Sequence, residues 1–228
     1  MWNQAIILGH LSNDPEVSIS DDGGKAVTLN VAEVKDWDDA ADMQSNDTSW
    51  HRVVIRGSNA EIAEKHLKKG SKVYIKGFLK DYEVEGFIAS KIIATEIKLL
   101  SDIDDAEQKT LKEHEFNKVE LIGSLIDAPS AKIIGDSGNL KQGLLSIVVN
   151  DSWVNHKGER CERRYVNTAI LNDDQARSAE KYLDKNTKLF IKGTMKTLKY
   201  NDSKGNEHYK NNILPLKITI LGGEHGTK

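Results

Sequence analysis

The sequence predicts an all-β chain with a small α content, built from two copies of one small domain. Residues 50–77, WHRVVIRGSNAEIAEKHLKKGSKVYIKG, contain a strand, a short helix and a second strand, and a second copy of this segment ends in SAEKYLDKNTKLFIKG at residues 178–193. Elsewhere the apolar residues form short β-branched or alternating runs between turn residues, a pattern typical of strands. A repeated strand-helix-strand segment predicts two copies of one domain.

Five strands are predicted in each repeat from apolar runs and alternation. They are centred on residues 3–11, 27–37, 53–55, 73–75 and 92–99 in the first repeat, and on residues 117–125, 145–153, 168–171, 189–191 and 216–221 in the second. Pro15 and Pro129 close the turn after the first strand of each repeat, and Glu85 and Gly86 mark a tight hairpin between the last two strands of the first.

One short helix is predicted between the third and fourth strands of each repeat. In the first repeat Ser58 or Asn59 can cap the helix, and Gly70 can end it in the left-handed conformation. The list of residues expected on the apolar faces is Ile62, Ala63, His66 and Leu67 in the first helix, and Ala176, Ala179, Tyr182 and Leu183 in the second. Asn186 stands where the first repeat has Gly70, and Asn tolerates the same conformation.

The element order β-β-β-α-β-β fits a five-stranded Greek-key barrel of the oligonucleotide/oligosaccharide-binding (OB) type, whose central strands and loops form a binding face. We therefore predict two tandem OB-fold barrels, each with one helix between strands 3 and 4. The expected divisions are a first domain at residues 1–100, a linker at 101–116, a second domain at 117–222 and a short tail at 223–228.

Charge and composition restrict the class of protein. The 228 residues carry a net charge of −3, but residues 1–100 contain 12 Lys and Arg against 16 Asp and Glu, whereas residues 116–228 contain 18 against 13. The second repeat is therefore the basic one. No apolar run approaches the roughly 20 residues that span a bilayer, the N-terminus shows no signal pattern, and Cys161 is the single cysteine, so we expect a cytoplasmic protein away from membranes.

Several phrases of the sequence closely resemble bacterial single-stranded DNA-binding proteins. They are the opening NQAIILGHLSNDPEV, the strand WHRVVIRG, the helix AEIAEKHLKKGS and the strand KVYIKG in the first repeat, and the hairpin KYNDSKGNEHY in the second. The resemblance covers both repeats, so the chain is similar to those family members that have two domains in one chain. It implies sequence-independent binding and protection of single-stranded DNA in replication, recombination and repair, without catalysis or cofactors.

The resemblance also implies which side chains bind DNA. Tryptophans that match the family's stacking positions are Trp37, Trp50 and Trp153, and Tyr200 matches a further one in the second hairpin. The remaining expected binding residues are nearby aromatic and basic side chains: Phe78, Tyr82, Phe87, Arg52, Arg56 and Lys80 in the first copy, and Tyr165, Tyr209, Arg163, Arg164, Lys196, Lys199 and Lys210 in the second. Bases stack on such rings and the cations neutralise phosphates.

Two other functions are weighed against this one. The first is an OB-fold interaction module of the replication or primosome machinery, similar to primosomal replication protein N, in which the first repeat docks protein. The second is a metal-dependent nuclease, with ligands from the acidic loop, Asp38, Asp39, Asp42 and Asp47; a solvated loop explains these residues better. His156 and Cys161 form no ligand set with zinc spacing, so no metal or catalytic residue is predicted.

The resemblance implies a homodimer that presents four OB folds. Trp2, Tyr74, Phe190 and the region of His51 are expected to supply surface for that contact. Family members commonly end in a flexible tail with an acidic tip that recruits replication and repair proteins, whereas this sequence ends in GGEHGTK. We expect that either the tail was lost or the partners differ.

Overall fold

A computed structural model describes residues 2–19, 23–36, 46–84, 87–100, 115–134, 140–154, 157–201 and 207–222. Within these residues each repeat has six strands and one helix. The first repeat contains β1 (Asn3–Leu11), β2 (Glu16–Ile19), β3 (Lys25–Asp36), β4 (Asn46–Arg56), α1 (Ser58–His66), β5 (Lys72–Val84) and β6 (Phe87–Leu99). The second contains β7 (Phe116–Leu125), β8 (Ser130–Ile134), β9 (Leu140–Val154), β10 (Arg160–Leu171), α2 (Asp173–Tyr182), β11 (Lys188–Asn201) and β12 (Glu207–Gly222).

Five strands of each repeat close into a barrel, which confirms the predicted tandem OB fold. In the first repeat β1 pairs with both β3 and β5, β3 with β4, β5 with β6, and β4 runs parallel to β6 and closes the barrel. The second repeat closes in the same way, with β10 parallel to β12. The short strands β2 and β8, which the sequence did not predict, extend the sheet beside β3 and β9.

Alternating apolar residues fill each barrel. Ile7, Leu29, Ile55 and Ile75 are fully buried in the first, as are Leu121, Leu145 and Ile191 in the second. Because side chains alternate along a strand, the residues between them face outward. The inward positions of β4 therefore leave Trp50, Arg52 and Arg56 exposed on the outer surface.

A glycine permits a close strand crossing at the same place in each barrel. A Cβ atom on Gly77 would lie 2.2 Å from the carbonyl oxygen of Ile93, and one on Gly193 would lie 2.2 Å from that of Leu214. Any side chain would collide with the main chain of the neighbouring strand. In the first repeat the register of β5 with β6 shifts between Lys76 and Gly77, which leaves Thr95 of β6 as the extra residue of an irregularity in the pairing.

The ends of the two helices differ in part from expectation. Gly57, rather than Ser58 or Asn59, is the N-cap of α1 and has no side-chain cap bond; Ser58 already lies inside the first helical turn. Asn172 caps α2 in a capping box with Gln175. Gly70 (φ 84°) and Asn186 (φ 67°) both adopt the left-handed conformation, as predicted.

The helices bury a narrower face than predicted. Ala60 and Ala63 of α1 are buried, as are Ala176 and Ala179 of α2, whereas Ile62 is 44% exposed and Tyr182 is 56% exposed. Leu67 and Leu183, directly after the helices, are buried as predicted, whereas His66 is exposed.

The chain divides into two compact units. The first-repeat unit contains Gln4–Lys118 together with Lys196–Asn211, and the second-repeat unit contains Met1–Asn3, Val119–Met195 and Asn212–Lys228. The sequence-based division had placed Lys196–Asn211, the ends of β11 and β12 with their hairpin, in the second domain. By sequence the first-repeat unit holds 19 Lys and Arg against 24 Asp and Glu, a net charge of −5, and the second-repeat unit holds 13 against 11, a net charge of +2.

Neither helix in the described part of the chain has the length and hydropathy needed to cross a bilayer.

Candidate nucleic-acid interface

Two aromatic side chains lie on one level of the outer face formed by β4, β6 and β5 in the first-repeat unit. The pairing of Val53 with Ile92 places Trp50 of β4 level with Ala89 of β6, and Ala89 pairs directly with Tyr82 of β5. Trp50 is 48% exposed, and Tyr82 is half-buried. The small Ala89 between the two rings leaves space above it. This arrangement can accept planar groups against both rings.

Four cations lie beside these rings. The same register aligns Arg52 of β4, Lys91 of β6 and Lys80 of β5 in one row across the three strands, and Arg56 lies further along β4. The Nζ atom of Lys91 is 4.2 Å from the centre of the Tyr82 ring. Burial, together with the positive charges of Lys80, Arg52 and Arg56, lowers the pKa of Lys91. The row therefore concentrates positive charge that an anion would relieve. We call Arg52, Lys80 and Lys91 the cation row.

A groove of about 500 Å³ lies at one side of the cation row in the first-repeat unit. Its lining residues are Ser12, Asn30, Trp50, His51, Arg52, Tyr82, Ala89, Ser90, Thr197 and Asn211. Hydroxyl and amide groups therefore line this groove next to the two aromatic rings. Such a mixture suits a nucleotide, which offers a flat base, polar base edges and a charged phosphate.

Thr197 and Asn211 come from the segment Lys196–Asn211, which we call the hairpin segment. The main-chain N–H of Trp50 donates to Thr197 Oγ1 at 2.8 Å. The same hydroxyl oxygen lies 2.9 Å from the carbonyl oxygen of Trp50 and 2.8 Å from Asn211 Oδ1, either of which can accept its proton. The hairpin segment thus bonds directly to the main chain of an exposed tryptophan.

The hairpin segment is also held by a half-buried ion pair. Lys210 Nζ lies 3.8 Å from Asp81 Oδ2, and these side chains are only 15% and 10% exposed. Ser90 Oγ lies 2.7 Å from Asp81 Oδ1 and 3.2 Å from the Asn211 carbonyl oxygen. Burial raises the pKa of Asp81, while the Ser90 hydrogen bond and the charge of Lys210 act in the opposite direction. Lys210, which was predicted to contact DNA, thus also has a partner within the protein.

The second-repeat unit presents a different pair of groups. Trp153 at the end of β9 is 38% exposed, and the guanidinium of Arg163 lies 5.0 Å from the centre of its ring. Arg164 and Arg160 are exposed near Arg163 and line a surface groove of about 440 Å³ with it. Asp151 and Glu162 line the same groove, and Arg160 Nε lies 3.2 Å from Glu162 Oε1. The Trp153 ring with Arg163 above it is therefore the aromatic and cationic pair of the second-repeat unit.

Tyr165 was predicted to be a binding residue, but its side chain is 4% exposed. It faces the core, in the same alternation as Asn167 and Ala169, and Arg163 donates to its hydroxyl group at 3.4 Å. Trp50 lies opposite Ala32, and the corresponding position in the second repeat, opposite Val148, is Val166. The second barrel therefore has an aliphatic residue where the first has an exposed tryptophan, and Tyr165 is no stacking platform.

The other predicted residues fall into two groups. Phe78 and Lys196 are described and half-buried, Phe78 on the β5 side of the first barrel and Lys196 in the hairpin segment. Trp37 and the side chains of Phe87, Lys199, Tyr200 and Tyr209 lie outside the described residues, as does the acidic loop considered for the nuclease alternative.

Lys91 is the binding candidate that sequence reasoning missed. Val84 pairs with Phe87, and counting back along the two strands from that pair reaches Lys80 and Lys91. The turn predicted at Glu85 and Gly86 fixes which residues pair across the two strands, so the pairing of Lys80 with Lys91 could have been inferred from the sequence.

The described ranges offer no cluster of metal-binding side chains. They contain no group of three or more His, Cys, Asp or Glu side chains that could hold a metal ion. His51 and Glu33 are both buried, and His51 Nε2 lies 3.8 Å from Glu33 Oε2. Because the His51 side chain is only 1% exposed, it adds no surface to the expected dimer contact.

An OB barrel with exposed aromatic rings beside a row of cations is typical of nucleic-acid-binding proteins. The chain matches the model of the single-strand binding protein family over residues 2–100 and 116–221. It therefore belongs to the single-strand binding protein family, with one family domain in each repeat. Membership makes it a single-stranded DNA-binding protein and not an enzyme.

Two solved structures share the two-domain fold. A deletion variant of the single-stranded DNA binding protein from Thermus aquaticus is 19% identical with a TM-score of 0.72, and the alignment covers 99% of this chain and 97% of that one. The wild-type protein from Thermus aquaticus is 18% identical with a TM-score of 0.71, with coverage of 99% and 96%. The tandem arrangement of two OB folds is thus common to both proteins.

Proposed function

We propose that the protein coats single-stranded DNA without sequence preference, through base stacking on aromatic residues and neutralisation of phosphates. The observation that carries this proposal is that Trp50 and Tyr82 lie side by side across the strands, next to the cation row. One exposed face therefore offers both ring surfaces and positive charge. Stacking contributes about 1–3 kcal/mol per base, and it tolerates any base, since every base has a flat face. Phosphate contacts add affinity that carries no sequence information.

Each repeat contributes to the proposed binding surface. On the first barrel, Trp50 and Tyr82 stack bases while the cation row and Arg56 bind phosphates. On the second, Trp153 stacks a base and Arg163 and Arg164 bind phosphates. The contacts proposed on the family resemblance alone are Trp37, Phe78, Phe87, Lys196, Lys199, Tyr200 and Tyr209.

The proposed cellular role is protection of single strands in the bacterial cytoplasm or nucleoid during replication, recombination and repair. A homodimer would present four barrels to one strand. Support for self-association comes from Trp2, which is 51% exposed at the surface of the second-repeat unit. Tyr74 and Phe190 are half-buried and remain candidates for the same contact.

A quenching experiment with product analysis tests the proposed function. Oligothymidylate is added to the full chain with magnesium present, tryptophan fluorescence is followed, and the recovered oligonucleotide is run on a gel. Quenching with intact oligonucleotide is expected, and duplex DNA of equal length should compete poorly because its bases are already stacked. Absence of quenching would favour the protein-interaction module, and shortened product would favour the nuclease.

The proposed contacts are tested by single substitutions in the same assay. Trp50→Ala and Trp153→Ala should each weaken binding about 5- to 150-fold, since each removes roughly 1–3 kcal/mol of stacking. Ile62→Ala is a matched control, because Ile62 is also an exposed apolar residue of the first-repeat unit but lies on α1. Equal effects of Trp50→Ala and Ile62→Ala would exclude the first-barrel face as the binding surface.

A further inference from the structure

The main-chain hydrogen bonds of Trp50 involve a side chain of the other repeat. Trp50 lies on β4 opposite Ala32 of β3, and its N–H donates to Thr197 Oγ1 at 2.8 Å while its carbonyl oxygen lies 2.9 Å from the same atom. The Thr197 hydroxyl oxygen therefore accepts from the Trp50 N–H and bridges to the Trp50 carbonyl oxygen or to Asn211 Oδ1, the two acceptors that share its single proton. Trp50 is 48% exposed, so packing against the barrel restrains its ring only in part. The hydrogen bonds to Thr197 restrain the main chain that carries the ring.

The position of Thr197 is in turn fixed by bonds at the other side of the hairpin segment. Asn211 Oδ1 lies 2.8 Å from Thr197 Oγ1, and the Asn211 carbonyl oxygen lies 3.2 Å from Ser90 Oγ on β6. The neighbouring Lys210 forms its half-buried ion pair with Asp81 on β5. These contacts reach β5 and β6, the strands that carry Tyr82 and the two lysines of the cation row.

The same residues line the groove beside the proposed stacking surface. Thr197 and Asn211 share its wall with Trp50, Arg52 and Tyr82. A base stacked on Trp50 would therefore have the Asn211 amide and the Thr197 hydroxyl near its polar edge. A groove of about 500 Å³ has room for one nucleotide with its water.

We propose that the hairpin segment of the second repeat is a working part of the first repeat's DNA-binding face, with Thr197 as a positioning residue for Trp50 and Asn211 as a direct nucleotide contact. This inference rests on the proposed function, because it assumes that Trp50 stacks a base. It follows that the first-barrel site is assembled from both repeats of one chain. Residues 1–100 by themselves would have the ring and the cations but not the groups that hold and border the ring.

The test uses the full chain with Trp50 as its only tryptophan, obtained with Trp2→Phe, Trp37→Phe and Trp153→Phe. In this background oligothymidylate quenching reports on Trp50 alone. Thr197→Val keeps the side-chain shape but removes the hydroxyl group, so it should weaken binding about 3- to 10-fold and change the amplitude of Trp50 quenching. Thr197→Ser retains the hydroxyl group and should restore both values.

Two comparisons separate positioning from simple loss of stability. Thr194→Val makes the same change on the same strand, at a residue outside the groove, and should leave affinity and quenching amplitude as in the parent. Asn211→Ala should weaken binding about threefold or more while the midpoint of thermal unfolding matches that of Thr194→Val. A change in quenching amplitude at saturating oligonucleotide is a readout that a change in stability does not produce.

The outcomes distinguish this inference from the proposed function. If Thr197→Val and Asn211→Ala bind as tightly as Thr194→Val, with the same quenching amplitude, while Trp50→Ala weakens binding in the chain that keeps its other three tryptophans, the inference is wrong and the proposed function stands. If Trp50→Ala itself binds like the parent, both are wrong for the first barrel. If Thr197→Ser fails to restore what Thr197→Val loses, the hydroxyl bridge is not the cause, and the positioning role is rejected.

Discussion

The cation row makes a quantitative prediction about salt. For single strands, each phosphate that a protein neutralises contributes about 0.7 to the slope of log affinity against log salt concentration. Replacing Arg52, Lys80 and Lys91 together with Gln removes up to three such contacts, so the slope should decrease by about 2. Between about 50 and 200 mM salt, a fourfold change, the variant should therefore lose about 16-fold less affinity than the parent protein.

The matched control is the triple change of Lys65, Lys68 and Lys69 to Gln. These lysines are exposed at the end of α1 and beyond it, and the control removes the same three charges from the same unit. Affinity for oligothymidylate is measured by quenching at four or more salt concentrations for the parent and both variants. If the slope falls equally in the two variants, the effect belongs to the net charge of the unit, and the argument that the row contacts phosphates is refuted.

Three further predictions concern the pH dependence, the second barrel and the assembly. The pKa of Lys91 is lowered from 10.5 in the free protein and a bound phosphate would raise it again, so binding takes up a proton at alkaline pH and affinity should fall as the pH rises toward 10.5. Lys91→Arg should flatten this fall in a pH series of quenching titrations, whereas Lys98→Arg, on the same strand, should not. Arg163→Ala should weaken binding about 2- to 5-fold more than Arg164→Ala in direct titrations, because it also removes the cation–π contact with Trp153; equal losses would show that this contact is irrelevant to DNA. Light scattering at micromolar concentration should give about 51 kDa, twice the 25.4 kDa chain, and a stable species of about 25 kDa with full affinity for long oligothymidylate would disprove the homodimer.

The fold was predictable because the local signals agree with each other. The alternation of apolar residues gave the strands of the barrel, and the left-handed conformation of Gly70 and Asn186 followed from the residue types. The short strands β2 and β8 were missed, since at four and five residues they carry too little pattern to stand out. The N-cap of α1 was misplaced because Gly57, which has no side chain to act as a signal, takes that position.

For the candidate site, the alternation of side chains along a single strand predicts which residues are exposed, but it does not predict which strands meet. The exposure of Trp50 follows from the buried Val53 and Ile55, and the same rule applied to β10 would have placed Tyr165 inside, in step with the buried Ala169. Aligning residue types instead of register produced that error. The position of the hairpin segment depends on contacts between residues almost 150 apart in sequence, such as Trp50 with Thr197, and no local pattern encodes them.

Because the hairpin segment belongs to the first-repeat unit, the charge of each repeat differs from the charge of each compact unit. By sequence the second repeat is the basic one, yet the first-repeat unit, at −5, includes both the hairpin segment and the cation row. The acidic residues that set this negative total are concentrated in residues 36–47 and 101–115. At physiological salt an exposed charge acts over about 8 Å, so a phosphate responds to the cations beside it more than to the total of the unit. Net charge is therefore a poor guide to which barrel binds DNA more tightly, and the register of side chains across β4, β6 and β5 is the better one.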